Sequence, residues 1–259
     1  MGSKDKQKIV RSNSKSKQRL DILVVEKGLV QSRERANALI MAGKIFVNDS
    51  CCDKPGTKIK SDSLIILKGD DIPFVSRGGL KLENALKTIP CDVTDLVCLD
   101  IGASTGGFTD CLLQHGAARV HAVDVGYGQL DWKLRQDHRV NVIERTNIRH
   151  MDFDKINEKV DLITIDTSFI SLKLVVPAAD KFMKNGTKVL ALIKPQFEAG
   201  KERIGKGGVI RDPEIREEIV EEIKYFFKQR GYEIGMVVPS PVPGPKGNRE
   251  FIIALKYLE

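Results

Sequence analysis

The chain has 259 residues and 41% hydrophobic content, enough for one large domain or two smaller ones with apolar cores. Its formal net charge is +7, but residues 1–20 hold seven basic side chains against one acidic, so the rest carries only +1 and the charge alone identifies no nucleic-acid partner. The chain shows no membrane-spanning run, secretory signal or C-x-x-C pair, so we expect a cytoplasmic protein without membrane contact, disulfide framework or metal site.

The first part of the chain predicts a small module behind a polar tail. Residues 1–17 are mostly Lys, Ser, Gln and Asn, which predicts a flexible basic tail. A domain at 18–68 follows, with a linker at 69–75. Within this domain the pattern predicts a helix from Leu20 closed by Gly28, a helix between Ser32 and Gly43, and strands at 45–47 and 63–67.

The larger domain, 76–259, alternates strands and helices. Buried-strand runs occur at 97–101, 119–124, 141–144, 161–166 and 188–194. Such alternation predicts a doubly wound parallel sheet with helices on both faces, because right-handed crossovers cover both sides. A long helix at 213–230 follows, and strands at 232–238 and 250–257 predict an antiparallel addition at one end of the sheet.

A glycine-rich loop follows the first strand of this domain. The segment runs Asp100-Ile101-Gly102-Ala103-Ser104-Thr105-Gly106-Gly107-Phe108-Thr109 and leads into a helix. Doubly wound sheets bind nucleosides at this point. A pyrophosphate is poorly placed beside the Asp100 carboxylate, whereas a cationic cofactor is well placed, so the segment favours S-adenosylmethionine over a nicotinamide dinucleotide.

Two polar residues after the next strands are further candidates for cofactor binding. Asp124 ends the second strand 24 residues after Asp100, close to the spacing at which an acidic side chain meets a ribose diol. Asn147 follows the third strand and is a candidate for the adenine. A solvent-exposed strand-end aspartate and an ordinary loop residue are the alternatives.

Charged residues also end the fourth and fifth strands. Asp166 and Lys194 each follow an apolar run, an arrangement that is costly unless the two charges pair. The pair is either a structural ion pair or a site in which Lys194 acts as a base. Lys81 and Glu250 are two further charges that would complete such a group.

The combined motifs resemble known families. The first module resembles the S4 RNA-binding domain, on Arg19-Leu20-Asp21, Gly28-Leu29, Ser32-Arg33, Gly43-Lys44-Ile45, Val47-Asn48 and Lys54-Pro55. The rest resembles the FtsJ-like (RrmJ-type) RNA 2′-O-methyltransferases, on the glycine-rich segment, Val75-Ser76-Arg77-Gly78-Gly79-Leu80-Lys81-Leu82 and Ile193-Lys194-Pro195-Gln196-Phe197-Glu198. Both in this order are similar to the TlyA family, often labelled hemolysin A.

The resemblance implies a fold, an activity and a set of residues. The fold is α/β, a Rossmann-like methyltransferase domain with a mostly parallel seven-stranded sheet behind a small α+β S4-like domain. The implied activity is methyl transfer from S-adenosylmethionine to a ribose 2′-hydroxyl of a cytidine in ribosomal RNA within ribosomal subunits. The catalytic residues are a Lys-Asp-Lys-Glu tetrad, which by motif position is Lys81, Asp166, Lys194 and Glu250. No metal is required, and a monomer is expected.

RNA contacts are expected from basic side chains in both domains. The candidates are Arg33, Arg35, Lys44 and Arg77. A solvated mixed-charge surface is the alternative for the first three. Two other functions stay open: a non-catalytic RNA-binding or ribosome assembly factor, and a membrane-active hemolysin, for which the chain lacks a lipid-seeking amphipathic helix.

Overall fold

The computed structural model describes residues 8–10, 17–30, 32–41, 43–48, 50–67, 72–205, 207–244 and 247–259. The chain forms two compact units, residues 1–71 and 72–259. No helix in the described part of the chain is both long and apolar enough to span a membrane.

Unit 1 is a small α+β module. Its elements are β1 (Lys8–Val10), β2 (Lys17–Arg19), α1 (Leu20–Glu26), α2 (Arg33–Met41), β3 (Ile45–Val47), β4 (Ser50–Cys51), β5 (Lys58–Lys60) and β6 (Ile65–Leu67). Both predicted helices are present, and the Ser32 hydroxyl accepts a hydrogen bond from the Arg35 amide at the start of α2. Apolar side chains from both helices, β3 and β6 form one buried cluster.

Two parts of this region differ from the sequence prediction. Residues 8–10, expected in a flexible tail, pair antiparallel with 65–67, and Lys17 begins a strand paired with 58–60. The unpaired backbone groups of an edge strand can hydrogen-bond to any extended segment, whatever its side chains. Amino-acid composition therefore does not predict this pairing. The rest of the predicted tail, residues 1–7 and 11–16, lies outside the described residues.

Unit 2 contains a seven-stranded sheet. Its elements are α3 (Gly78–Thr88), β7 (Val97–Ile101), α4 (Gly107–Gln114), β8 (Arg119–Val123), α5 (Trp132–Arg135), β9 (Val140–Ile143), β10 (Val160–Ile165), α6 (Leu172–Ala178), β11 (Met183–Ile193), α7 (Pro195–Glu198), α8 (Pro213–Gln229), β12 (Glu233–Pro239) and β13 (Phe251–Lys256). The strand order is β12-β13-β11-β10-β7-β8-β9. The five strands from β11 to β9 are parallel, and β13 and β12 are antiparallel, as predicted.

Apolar side chains cover both faces of this sheet. Helices α6 and α8 contribute to the cluster on one face, and α3, α4 and α5 contribute to the cluster on the other. Helix α8 begins as predicted, with the Asp212 carboxylate accepting a hydrogen bond from the Glu214 amide and Pro213 in the first turn. Gly231, at φ +83°, follows its end.

Residues 72–75 belong to unit 2, although the sequence analysis places them in a linker. The Phe74 ring is buried against Gly79, where a Cβ atom would lie 2.3 Å from the ring. The Val75 amide donates to the Asp110 carboxylate of α4 at 2.8 Å. An apolar Phe-Val pair is stabilised by burial, so the segment joins the core instead of remaining a free connection. Residues 68–71 are outside the described part of the chain.

Candidate active site

The glycine loop, residues 102–106, connects β7 to α4 and needs its glycines for steric reasons. Gly102 has φ +83° and Gly106 has φ +96°, a region that side chains with a Cβ rarely adopt. A Cβ on Gly102 would lie 2.6 Å from the Asp166 carbonyl oxygen, and one on Gly106 would lie 2.2 Å from a Leu134 methyl. The loop is therefore held tightly between the end of β10 and helix α5.

Asp124 links the glycine loop to the loop that follows β8. Its carboxylate accepts hydrogen bonds from the Ser104 amide at 2.8 Å and from the Gly126 amide at 2.6 Å. Each carboxylate oxygen has two lone pairs, so acceptor capacity remains for a further donor. Asn147 lies after β9, where its side-chain oxygen caps a short 3₁₀ turn by accepting from the Arg149 amide. Its carbonyl oxygen is thus already used within the fold.

Several residues of the predicted cofactor segment lie in the interior instead of at the loop surface. Asp100, Phe108 and Thr109 are buried. Gly107 allows close approach of α3, since a Cβ there would lie 2.3 Å from the Ser76 hydroxyl. These four residues therefore pack in the interior next to the glycine loop. The sequence motif gives their positions in the chain but does not show which way each side chain turns. Ser104 and Thr105 are exposed.

Asp100 is a buried carboxylate with two hydroxyl donors. The Thr109 and Thr164 hydroxyls donate to its two oxygens at 2.7 and 2.9 Å. Burial raises the pKa of Asp100 to about 6, against the opposing effect of those hydrogen bonds. The residue therefore ties β7, β10 and α4 together beneath the glycine loop.

The four charged residues of the predicted tetrad converge at the carboxyl ends of the central strands. Glu250 Oε2 lies 2.6 Å from Lys81 Nζ, Lys81 Nζ lies 4.0 Å from Asp166 Oδ2, and Asp166 Oδ1 lies 2.6 Å from Lys194 Nζ. The charges thus alternate in sign along a continuous row. Antiparallel pairing of Phe251 with Ile193 brings Glu250, just before β13, to the same end of the sheet as Lys194, just after β11. Helix α3 supplies Lys81.

The row is mostly enclosed by protein. Lys81, Lys194 and Glu250 are buried, whereas Asp166 is partly exposed. Among the described residues, Glu250 Oε1 has no hydrogen-bond partner, and a Cβ on Gly244 would lie 2.0 Å from it. A buried charge is destabilising unless it is paired, so each charge in the row depends on the adjacent charges for its stabilisation.

Sequence analysis missed two residues that follow Asp166. The Ser168 hydroxyl accepts a hydrogen bond from Lys194 Nζ at 2.9 Å. Phe169 is exposed, has φ +63°, and its ring centroid lies 4.9 Å from that of Phe197. The available signal was their place directly after a strand-end carboxylate, where loop residues face the ligand side of such sheets.

Glu198, in the short helix after Lys194, is hydrogen-bonded to the end of the loop that follows Asp166. Its carboxylate accepts hydrogen bonds from the Ser171 hydroxyl at 2.5 Å and from the Leu172 amide at 2.8 Å. Burial raises the pKa of Glu198. The loop after β10 and the short helix after β11 are therefore joined by this carboxylate.

The predicted RNA-binding residues fall in both units. In unit 1, Arg33 Nη2 lies 2.8 Å from Asp21 Oδ2, and Arg19 pairs with the same buried carboxylate. These two arginines hold the pKa of Asp21 well below its usual range. Arg33 therefore has a structural partner, which the sequence did not reveal. Arg35 and Lys44 are partly exposed in unit 1, and Arg77 is exposed before α3 in unit 2.

One group in the described residues has metal-ligand chemistry, Glu83, Cys111 and His115. Its atoms already have partners: Lys87 pairs with Glu83 at 2.6 Å, and His115 Nδ1 lies 2.9 Å from the Cys111 carbonyl oxygen. Burial raises the pKa of the Cys111 thiol, which keeps it protonated and a weak ligand. The group reads as an internal polar contact between α3 and α4.

Comparison with known families matches both units. Residues 74–257 match the FtsJ-like methyltransferase model, and residues 18–65 match the S4 domain model. The chain is 49% identical over 244 residues to YqxC of Bacillus subtilis, covering 93% of this chain and 86% of the relative. It is 43% identical over 239 residues to the 16S/23S rRNA (cytidine-2′-O)-methyltransferase TlyA of Mycobacterium tuberculosis, covering 92% and 89%.

A solved structure is also similar over both units. A protein described as a hemolysin from Streptococcus thermophilus superposes with a TM-score of 0.75 at 44% sequence identity. The match covers 95% of this chain and 90% of that one. The relatives therefore carry two kinds of name, methyltransferase and hemolysin.

Proposed function

This chain belongs to the FtsJ-like methyltransferase family, and from that premise we propose that it methylates a ribose 2′-hydroxyl of a cytidine in ribosomal RNA. The observation that carries the proposal is the row Glu250, Lys81, Asp166, Lys194, with the Lys194 amine hydrogen-bonded to Ser168 in the loop that also bears Phe169. The names of the TlyA relatives support cytidine in ribosomal RNA as the substrate.

Lys194 is the proposed general base. Its Nζ atom lies between Asp166 Oδ1 and the Ser168 hydroxyl, so two neighbours fix the direction of the amine. As the neutral amine it accepts the 2′-hydroxyl proton while the ribose oxygen forms its bond to the methyl carbon, and the methyl–sulfur bond breaks with its electron pair remaining on the sulfur. Lys81 and Glu250 hold Asp166 in place through the next two links of the row, which makes them positioning residues.

S-adenosylmethionine supplies a methyl group already activated by its sulfonium charge. The residues after β7 and β8 fit this molecule, because the glycine loop brings backbone close to the strand ends and Asp124 retains acceptor capacity for a ribose diol. Gly102, Ser104, Thr105 and Gly106 would lie along it, and Asn147 would lie toward the adenine.

We assign RNA recognition to the region at 18–68 and methyl transfer to 76–259. The S4 domain match supports the first assignment. Arg35, Lys44 and Arg33, which also pairs with Asp21, are the proposed phosphate contacts. Arg77 and the exposed Phe169 ring would contact the target nucleotide, since unpaired bases of RNA stack on aromatic side chains. Ribosomal subunits as substrate place the proposed activity in the cytoplasm.

The test is methyl transfer to separated ribosomal subunits. The purified protein is incubated with S-adenosylmethionine carrying a tritiated methyl group and with small subunits, large subunits or naked rRNA. We expect label in the RNA of at least one subunit and its loss in Lys194→Ala. Lys184→Ala is the matched control, because Lys184 lies at the opposite end of the same strand and pairs with Asp161 at the surface.

Three results would contradict the proposal. Label that persists in Lys194→Ala would remove Lys194 as the base. Absence of label from every substrate, with RNA still bound, would favour a non-catalytic binding or assembly factor. Leakage of dye from liposomes without methyl transfer would favour the hemolysin function that the names of some relatives carry.

A further inference from the structure

The loop after β8 exposes a cluster of large apolar side chains. Val125, Tyr127 and Trp132 are 69%, 68% and 72% exposed, and they lie within one short segment. Apolar side chains scattered singly over a surface are ordinary, whereas a cluster marks a binding surface. We call residues 125–132 the aromatic loop.

The aromatic loop is anchored at both ends. Asp124, just before it, binds the Ser104 and Gly126 amides, and the Asp131 amide donates to the Thr105 carbonyl oxygen at 3.1 Å. The Asp131 carboxylate also caps the helix that begins at Trp132, accepting from the Lys133 amide at 2.9 Å. Fixed anchors beside the glycine loop mean that the rings are held outward by the fold.

A basic side chain lies over one of the rings. The Arg145 guanidinium carbon lies 4.0 Å from the centroid of the Tyr127 ring. Arg145 has φ +52°, and its amide donates to the Gly126 carbonyl oxygen at 2.9 Å, so a strained backbone holds it there. Glu144, the acidic residue before Arg145, pairs with Arg135, and within the described residues no carboxylate lies within 4.0 Å of the Arg145 guanidinium. The surface therefore combines flat rings with uncompensated positive charge.

The aromatic loop lies on the same sheet edge as the tetrad. It follows β8, which is two strands from β10 in the order β11-β10-β7-β8, and all four strands are parallel. Adjacent strands are about 4.8 Å apart, so the two strand ends are separated by roughly 10 Å. The glycine loop lies between them. Lys194 follows β11, one strand further from β8, so it lies roughly 14 Å from the end of β8. Nucleotides that flank a nucleotide held at Lys194 can reach this far.

We propose that the aromatic loop stacks on unpaired bases flanking the methylated nucleotide, while Arg145 contacts a neighbouring phosphate. Rings with adjacent cations match the two components of single-stranded RNA, a π-face and a phosphate chain. The inference rests on the proposed function, since it concerns the same RNA substrate.

Trp132 is the only tryptophan in the chain, so its fluorescence reports directly on the aromatic loop. A short unstructured oligocytidylate and S-adenosylmethionine are titrated separately into the full chain. We expect saturable quenching by the oligonucleotide and little change with the cofactor alone. Quenching by the cofactor alone would overturn the inference, because the loop would then be covering the cofactor.

Steady-state kinetics on ribosomal subunits provide the second readout. We expect Tyr127→Ala and Trp132→Ala to raise the KM for the subunit about 5- to 100-fold, with kcat and cofactor affinity nearly unchanged. Trp132→Phe keeps an aromatic ring and should retain most of the affinity. Tyr225→Ala is the matched control, since Tyr225 is 67% exposed on α8.

Equal KM values for Tyr127→Ala and Tyr225→Ala would overturn the inference. A wild-type protein that transfers no methyl group refutes the proposed function but leaves the fluorescence result to decide RNA stacking. The two proposals therefore fail in different measurements.

Discussion

Replacing Lys81 by methionine should destabilise unit 2 far more than a typical surface change. The Lys81 side chain is 10% exposed and that of Glu250 is not exposed at all, with Nζ and Oε2 2.6 Å apart. In the part of the chain that the structure describes, Glu250 Oε1 has no partner, so Lys81→Met leaves this buried carboxylate with neither a counter-ion nor a donor there. Removing one partner of a buried pair costs about 3–5 kcal/mol.

The matched control lies on the same helix. Lys87→Met removes the ion pair with Glu83, in which the lysine side chain is 69% exposed. Exposed pairs at this helical spacing contribute about 0.3–0.5 kcal/mol. In urea unfolding followed by Trp132 fluorescence, a slope of about 2 kcal/mol/M gives a midpoint shift of roughly 2 M for Lys81→Met and under about 0.3 M for Lys87→Met.

A double variant separates stability from catalysis. Lys81→Met combined with Glu250→Leu replaces the ion pair by apolar side chains, which is often close to neutral for stability. We expect the double variant to recover most of the lost free energy of unfolding while methyl transfer stays absent. The reasoning is refuted if Lys81→Met shifts the midpoint no more than Lys87→Met, or if the double variant is no more stable than the single one.

Three further predictions follow from individual residues. Because burial raises the pKa of Asp100 to about 6 in the folded protein, the free energy of unfolding should fall as pH rises from 4 to 6 on account of this group, and Asp100→Asn should remove that contribution in urea titrations across this range. Gly106→Ala should lower the stability through both backbone strain and a clash with a leucine methyl, whereas Gly128→Ala, also at positive φ but in open space, should cost only about 1 kcal/mol of strain. The two variants are compared by their melting temperatures and by calorimetric cofactor binding. Equal losses of stability and cofactor affinity would contradict the steric argument. Because two arginines lower the pKa of Asp21, its carboxylate stabilises unit 1 at pH values above the unfolded pKa near 4, and this stabilisation is lost as the pH falls. Asp21→Asn should therefore flatten the acid unfolding of unit 1 as followed by amide exchange. An unchanged acid profile would show that the two arginines contribute nothing.

Local features of the chain were predictable from sequence. Apolar runs bounded by polar residues predicted the five parallel strands of unit 2, and the Asp212-Pro213 start and Gly231 end predicted α8. Helix caps and buried-strand runs depend on neighbouring residues, so the pattern itself carries the information. Residues 8–10 were missed because their pairing partner lies more than fifty positions away in the chain.

The chemistry of the site shows the same division. Sequence alone determined which residue types stand at the strand ends, the glycines of the loop and the four charges of the tetrad. Only the tertiary structure decided that Glu250 pairs with Lys81 across 169 positions, that Asp100 turns inward, and that Arg33 is committed to Asp21. Contacts of this kind follow from strand order, register and side-chain direction, which depend on the whole fold because packing of distant segments selects among locally equivalent arrangements.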